Sequence, residues 1–114
     1  MPRSVEVTPD EVVVRLTGWT AAAALKRELR IPRTAIRGVS TDPWREDGWR
    51  IAGTAIPFRE YRQGRFRRKG RWQFLSFERR DRVVALTLEP RAAGYDVVVV
   101  GVDDPEGVAA ELRR

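Results

Sequence analysis

The stretch "YDVVVVGV", residues 95–102, sets four valines in a row. β-branched side chains favour extended backbone, in which successive residues point to opposite faces. A strand that is apolar at every position has no face to give to water, so it belongs in a sheet covered on both sides. Whatever this chain folds into must therefore bring one layer of structure against each face of residues 97–100.

Other segments supply candidate partners for that strand. In "VEVTPDEVVVRL", residues 5–16, Val5 and Val7 point one way while Glu6 and Thr8 point the other. Pro9, Asp10 and Glu11 make a turn, after which Val12, Val14 and Leu16 face inward and Arg15 and Thr17 outward. The pattern predicts a hairpin. "TAIRGVST" predicts a short strand anchored by Ile36 and Val39, and "DPWREDGW" a loop marked by Asp42-Pro43 and Asp47-Gly48. From Gly53 onward the chain is strand-rich, and the proline in "TAIPF" confines that segment to an edge, a bulge or a strand start. "GRFRRKGRWQFLSFE" reads as a second hairpin turning at Arg68, Lys69 and Gly70. "RVVALTLEP" alternates, with Val84, Leu86 and Leu88 inward, and the turn-like "RAAG" separates it from the valine run.

Two segments break the strand rhythm. "TAAAALKREL" is rich in helix formers and sets Ala22, Leu25 and Leu29 on one side, predicting a short helix near 19–29 that ends before Pro32. The tail "DDPEGVAAELRR" carries helix-start signals: Asp104 to cap, Pro105 for the first helical position and Glu106 for the positive end of the dipole. Val108 and Leu112 then dock on a sheet, and Arg113 and Arg114 suit a helix C-terminus. Six or seven antiparallel strands followed by one helix make a mainly β single domain over residues 1–114, with no repeat and no linker.

Composition removes several function classes. The chain has neither cysteine nor histidine, so disulfides, thiolate chemistry, a His-Cys zinc site, a Ser-His-Asp triad and a histidine pH switch are all unavailable to it. Ser4, Ser40 and Ser76 thus lack a histidine partner, Lys26 and Lys69 fall in evidently exposed contexts, and no carboxylate pair stands out. The expectation is a protein that is not an enzyme, with no cofactor, metal or small-molecule substrate. No apolar run approaches the roughly 18 residues of a membrane span, and the N-terminus has no signal-peptide core. The expected location is the cytoplasm, including its face of the inner membrane.

Charge is distributed unevenly. The formal net charge is +6, from 22 basic and 16 acidic residues. Seven of the basic residues and one acidic residue fall within "REYRQGRFRRKGR", residues 59–71, which leaves fifteen of each sign elsewhere. The whole excess therefore sits on Arg59, Arg62, Arg65, Arg67, Arg68, Lys69 and Arg71. With a turn centred on Lys69, Phe66 lies across from Trp72 on one face, and Arg65, Arg67, Arg71 and Gln73 share the other. Such an array could grip phosphates in bidentate fashion. The plainer alternative is a solvated strand face whose charges discourage edge-to-edge pairing. Anionic lipid headgroups or an acidic protein fit the array best, including another copy of the chain. Nucleic acid fits less well, because Phe66 and Trp72 serve the core and leave Tyr61 as the aromatic beside the cations.

The loop between Trp44 and Trp49 carries Asp42, Glu46 and Asp47 nearby. The tryptophans could form a contacting lip or tuck onto the sheet, and the carboxylate spacing does not match an EF-hand. Asp103 and Asp104 read as helix capping.

Four stretches carry a family resemblance: "LRIPRTAIRGVSTDPWRE" (29–46), "GTAIP" (53–57), "GRFRRKGRWQF" (64–74) and "VDDPEGVAAEL" (102–112). Together they resemble a group of uncharacterised bacterial pleckstrin-homology-like (PH-like) proteins, and heavy use of Arg over Lys suggests an actinobacterial source. The resemblance implies a PH-like barrel or roll: two orthogonally packed antiparallel sheets capped by a C-terminal helix. It implies no catalytic residues. Ala55 and Phe58 stand where that group carries glycines, a departure at the one motif that would need special backbone geometry.

Overall fold

The computed structural model describes residues 3–16, 28–42, 49–56, 61–68, 71–77, 82–89 and 95–113. Strands β1 (Arg3–Val7) and β2 (Glu11–Leu16) form the expected first hairpin, and β3 (Glu28–Pro32) adds to the other side of β2. The antiparallel register sets Val5 against Val14 and Val7 against Val12, with Leu29 and Ile31 beyond them. Apart from Arg3 at its end, one face of this small sheet is therefore made of apolar positions. The opposite face carries an ion-pair chain: Arg15 bonds Glu6 at 3.1 Å and Glu28 at 3.4 Å, and Arg30 bonds Glu28 at 3.1 Å and also Glu11.

Strand β3 takes the last two residues of the segment expected to be helical near 19–29, and residues 17–27 lie outside the described residues. Glu28 through Pro32 alternate exposed and buried, and Leu29 enters the core from a strand. Pairing with β2 outweighs the helix propensity of the local sequence, which is a weak prior against tertiary contact. Ala22 and Leu25 lie outside the described residues.

The second sheet has six strands: β4 (Ile36–Ser40), β5 (Trp49–Ile56), β6 (Tyr61–Arg68), β7 (Arg71–Phe77), β8 (Val83–Leu88) and β9 (Val97–Gly101). Their spatial order is β4-β8-β9-β7-β6-β5. The valine run, β9, occupies the interior of the sheet and is buried at every residue. Val98 and Val100 face the small sheet and share a core with Val12, Val14, Ile31, Phe74 and Leu86. Val97 and Val99 face the other way, clustered with Phe66, Leu75, Phe77, Val83 and Ala85. Each buried valine or leucine of this kind contributes about 1.5–3 kcal/mol.

Two expectations of the antiparallel barrel fail here. Strands β4 and β5 end the sheet without pairing to each other, so it is an open sheet and not a closed barrel. Strand β9 pairs antiparallel with β8 but parallel with β7, separating two strands that are consecutive in the chain. The reason lies in β9 itself, since a strand with no polar face is disfavoured at an edge and takes the covered slot.

Smaller features follow the sequence. Ile36 and Val39, three apart, both pack on the inter-sheet core because the register shifts between Ile36 and Gly38. Strand β5 is an edge strand with a register shift between Arg50 and Ala52, just before Pro57. Trp49, expected in a loop, begins β5 instead. Helix α1 (Pro105–Leu112) starts as expected: Asp104 accepts the Gly107 N–H at 3.0 Å, and Val108 and Leu112 pack on the core. No helix among the described residues is long and apolar enough to cross a membrane.

Candidate functional site: the basic hairpin

The site grows from strands β6 and β7. Gly64 is buried with φ of 129°, a conformation that L side chains rarely adopt, and it faces Gly53 of β5 and Leu75 of β7. Two residues further, Phe66 is 1% exposed and anchors β6 in the cluster with Leu75 and Val99. The hairpin is thus fixed from within before any charge is considered.

Its register differs by one residue from a turn centred on Lys69. Arg68 pairs with Arg71, Arg67 with Trp72, Phe66 with Gln73 and Arg65 with Phe74. Only Lys69 and Gly70 separate the strands. Two-residue connections are the commonest in hairpins. Phe66 and Trp72 consequently belong to opposite faces: Phe66 lies in the outer cluster, while Trp72 packs beside Phe74 on the inter-sheet core. The expected single-faced array of Arg65, Arg67, Arg71 and Gln73 does not form, since Arg71 and Gln73 fall in line with Phe66 and not with Arg65 and Arg67. Gln73 is buried. A one-residue change of register exchanges the faces.

The remaining site residues divide as follows. Arg62, Arg65, Arg67 and Arg68 take positions along β6, and Arg71 opens β7 with an exposed side chain. Arg59 and Lys69 lie outside the described residues. What the register does assemble is the hairpin mouth, where Arg68 and Arg71 stand directly opposite each other. Like charges in that relation destabilise a strand pair by about 0.2–1 kcal/mol.

Four described arginines outside the hairpin are paired with carboxylates. Arg15, Arg30, Arg37 and Arg82 each pair with a glutamate, the last two with Glu89 and Glu106. The Arg30 guanidinium has its pKa raised above the ordinary arginine value, first by its hydrogen bond to Glu28 and then by Glu11. Arg33 donates to the carbonyls of Thr8 (3.0 Å) and Glu111 (3.4 Å), joining the first hairpin to α1. Among the described residues, no carboxylate pairs with Arg71. Asp96 bonds Trp72, next to Arg71, and there it serves the backbone. Its Oδ2 accepts the Trp72 N–H at 2.8 Å, and its own N–H donates to the Trp72 carbonyl at 2.8 Å. Sequence patterning missed Asp96, although an acidic residue immediately before an all-apolar strand was the available signal.

Trp44, Glu46 and Asp47 lie outside the described residues, and Asp42 is exposed. Among the described residues there is no group of three or more metal-ligating side chains. Compared with models of protein families, with curated proteins and with solved structures, the chain matches none.

Proposed function

We propose that the protein is a non-catalytic interaction module whose basic hairpin engages an anionic partner, an anionic lipid surface or an acidic protein. The observation that carries this reading is the opposed Arg68–Arg71 pair in a segment holding the protein's entire net charge. Like charges directly opposite each other on a strand pair are costly in isolation and favourable around a bound anion. This reading puts the weight of the site at the turn end of the hairpin, on Arg68 and Arg71 with their sequence neighbours Arg67 and Lys69. A short cluster at a hairpin end suits a charged surface, where each cation is worth about 1 kcal/mol. It suits a nucleic-acid groove less, because Trp72 and Phe66 are committed to the core.

The PH-like likeness belongs to the same reading. Two sheets and a C-terminal helix support it, while the parallel β7–β9 pair and the open sheet set this chain apart from that scaffold. A bacterial, cytoplasmic protein working at the inner membrane face is the setting this reading implies. Self-association through strand edges is the second reading, favoured by the unpaired outer sides of β1, β3, β4 and β5 among the described residues.

Co-sedimentation with vesicles of phosphatidylglycerol and phosphatidylcholine tests the proposal. The wild-type protein should pellet with the anionic vesicles, less so as salt rises. A variant carrying Glu at Arg67, Arg68, Lys69 and Arg71 should stay in the supernatant. Equal pelleting of the two proteins excludes a role for the hairpin in lipid binding. Retention on an acidic polypeptide column but not on vesicles would assign the acidic-protein arm.

A further inference from the structure

Strand β4 ends the large sheet, and backbone hydrogen bonds show which groups it turns to that edge. The Glu89 N–H donates to the Ala35 carbonyl at 2.8 Å, on the β4 side of β8. The Leu88 N–H donates to the Asp96 carbonyl at 2.9 Å, on the β9 side. Successive residues of a strand turn their N–H and C=O to opposite sides, so Thr87 faces β4 and Leu86 faces β9. Ile36 is the register partner of Leu88, and Val39 that of Leu86. Both are therefore non-bonded pairs, and the backbone groups of Ile36 and Val39 point away from β8, to the open edge. Two of these groups are already taken. The Ile36 N–H donates to the Arg33 carbonyl, closing the short 3₁₀ turn Arg33–Ala35. The Val39 carbonyl accepts from Arg113 Nη2 at 3.4 Å. Arg113 ends helix α1, where its own N–H bonds the Ala109 and Ala110 carbonyls at 3.1 and 3.3 Å. Arg33 ties the same turn of the helix down, donating to the Glu111 carbonyl at 3.4 Å. Val108 and Leu112 pack on the core that Ile36 and Val39 also cover, so the helix runs beside this edge.

We infer that Arg113 guards the β4 edge, holding the Val39 carbonyl so that the large sheet does not extend into a second copy of the chain. A bonded pair in an antiparallel ladder needs both the N–H and the C=O of one residue. At Ile36 the N–H is spent on the 3₁₀ turn, and the register shift before Gly38 interrupts the ladder next to it. Val39 is thus the position where an incoming strand would start, and Arg113 takes one of its two groups. Covering an edge with a helix end is one way in which sheets avoid edge-to-edge pairing. Without the guard, the strand that fits is β4 of a second copy. On a two-fold axis through Val39, the two copies exchange both bonds of that residue. Gly38 then lies opposite Ser40, and Arg37 opposite Thr41, so no like charges meet. The guard is independent of the basic hairpin, and it removes β4 from the edges open to self-association while α1 is docked.

Sedimentation velocity of the full chain over a range of concentrations tests this, with amide hydrogen exchange read alongside. Arg113→Ala should approach about twice the monomer mass at concentrations where the wild-type protein does not. Its Val39 amide should exchange about tenfold more slowly in concentrated than in dilute solution. Adding Val39→Pro, which removes an N–H that β8 does not use, should return the monomer. Asp104→Ala weakens α1 from its other end and leaves Arg113 in place, so it should stay monomeric. An Arg113→Ala protein that matches the wild type in mass and in Val39 exchange overturns the proposal. A dimer that survives Val39→Pro does so too, because it would use another edge. Equal self-association of Asp104→Ala and Arg113→Ala would assign the effect to a loosened helix and not to the Arg113 bond. Concentration-dependent protection of Val39 in the wild-type protein would show the edge to be unguarded.

Discussion

Gly64 shows how much one residue holds in place. Its φ of 129° sits inside a strand, directly opposite another glycine, and the anchor Phe66 follows two positions later. A Cβ in that conformation costs about 1–2 kcal/mol, so Gly64→Ala should lower the unfolding free energy by that amount in a urea titration. Asp96 is the second such residue, because its carboxylate and its amide both bind Trp72. Asp96→Ala leaves a half-buried N–H without its acceptor and should cost about 1–3 kcal/mol. Arg71 works in the opposite direction. Replacing it with Glu turns a like-charge pair into an attractive one and should stabilise the free protein by about 0.2–1 kcal/mol, while weakening vesicle binding. A variant that gains stability and keeps full binding would separate Arg71 from the site.

Among the elements, helix α1 is the one most openly written in the sequence. Asp, Pro and Glu stand in order at its start, and the structure uses Asp104 as the cap. Asp104→Ala should cost about 1 kcal/mol. A Cβ on Gly107 would come 2.2 Å from Asp104 Oδ2, so Gly107→Ala already displaces the cap. In that background the Asp104→Ala cost should fall to about half or less, a non-additivity that denaturation of the four proteins measures. Strand β3 and the second hairpin were less legible. Residues 20–29 carry good local helix signals, yet Glu28 and Leu29 answer to β2, a partner distant in sequence. In the hairpin the strands could be found but not their pairing, because both a two-residue and a three-residue turn fit "RRKGR". That single residue decides which arginines share a face, so the candidate site was less readable than the fold.

At the scale of the molecule, the valine run required two covered faces, and the large sheet has them. Leu75 and Leu86 are buried on opposite faces of that sheet. Leu75→Ala and Leu86→Ala should therefore each cost about 2–5 kcal/mol. A Leu75 variant close to wild type would mean that the outer cluster is not a true core. The alternation told which residues are buried; it could not tell that β9 lies parallel to β7, since a strand apolar on both sides has no face to orient it. The exposed ion-pair chain on the small sheet adds little at neutral pH, and Arg30, its pKa raised, keeps its charge throughout the working range. Its contribution is present below the ordinary arginine pKa and is lost only as pH rises through the raised one.

The placement of β9 also sets the order in which this protein can be made. Strands β7 and β8 leave the ribosome before β9, yet they have no contact with each other in the ladder except through it. Without residues 97–101, strands β7 and β8 would each lack their β9 partner, and both are rich in apolar side chains. The assembly closes around its last strand. Synthesis halted between β8 and β9 would thus release the most adhesive form of this polypeptide.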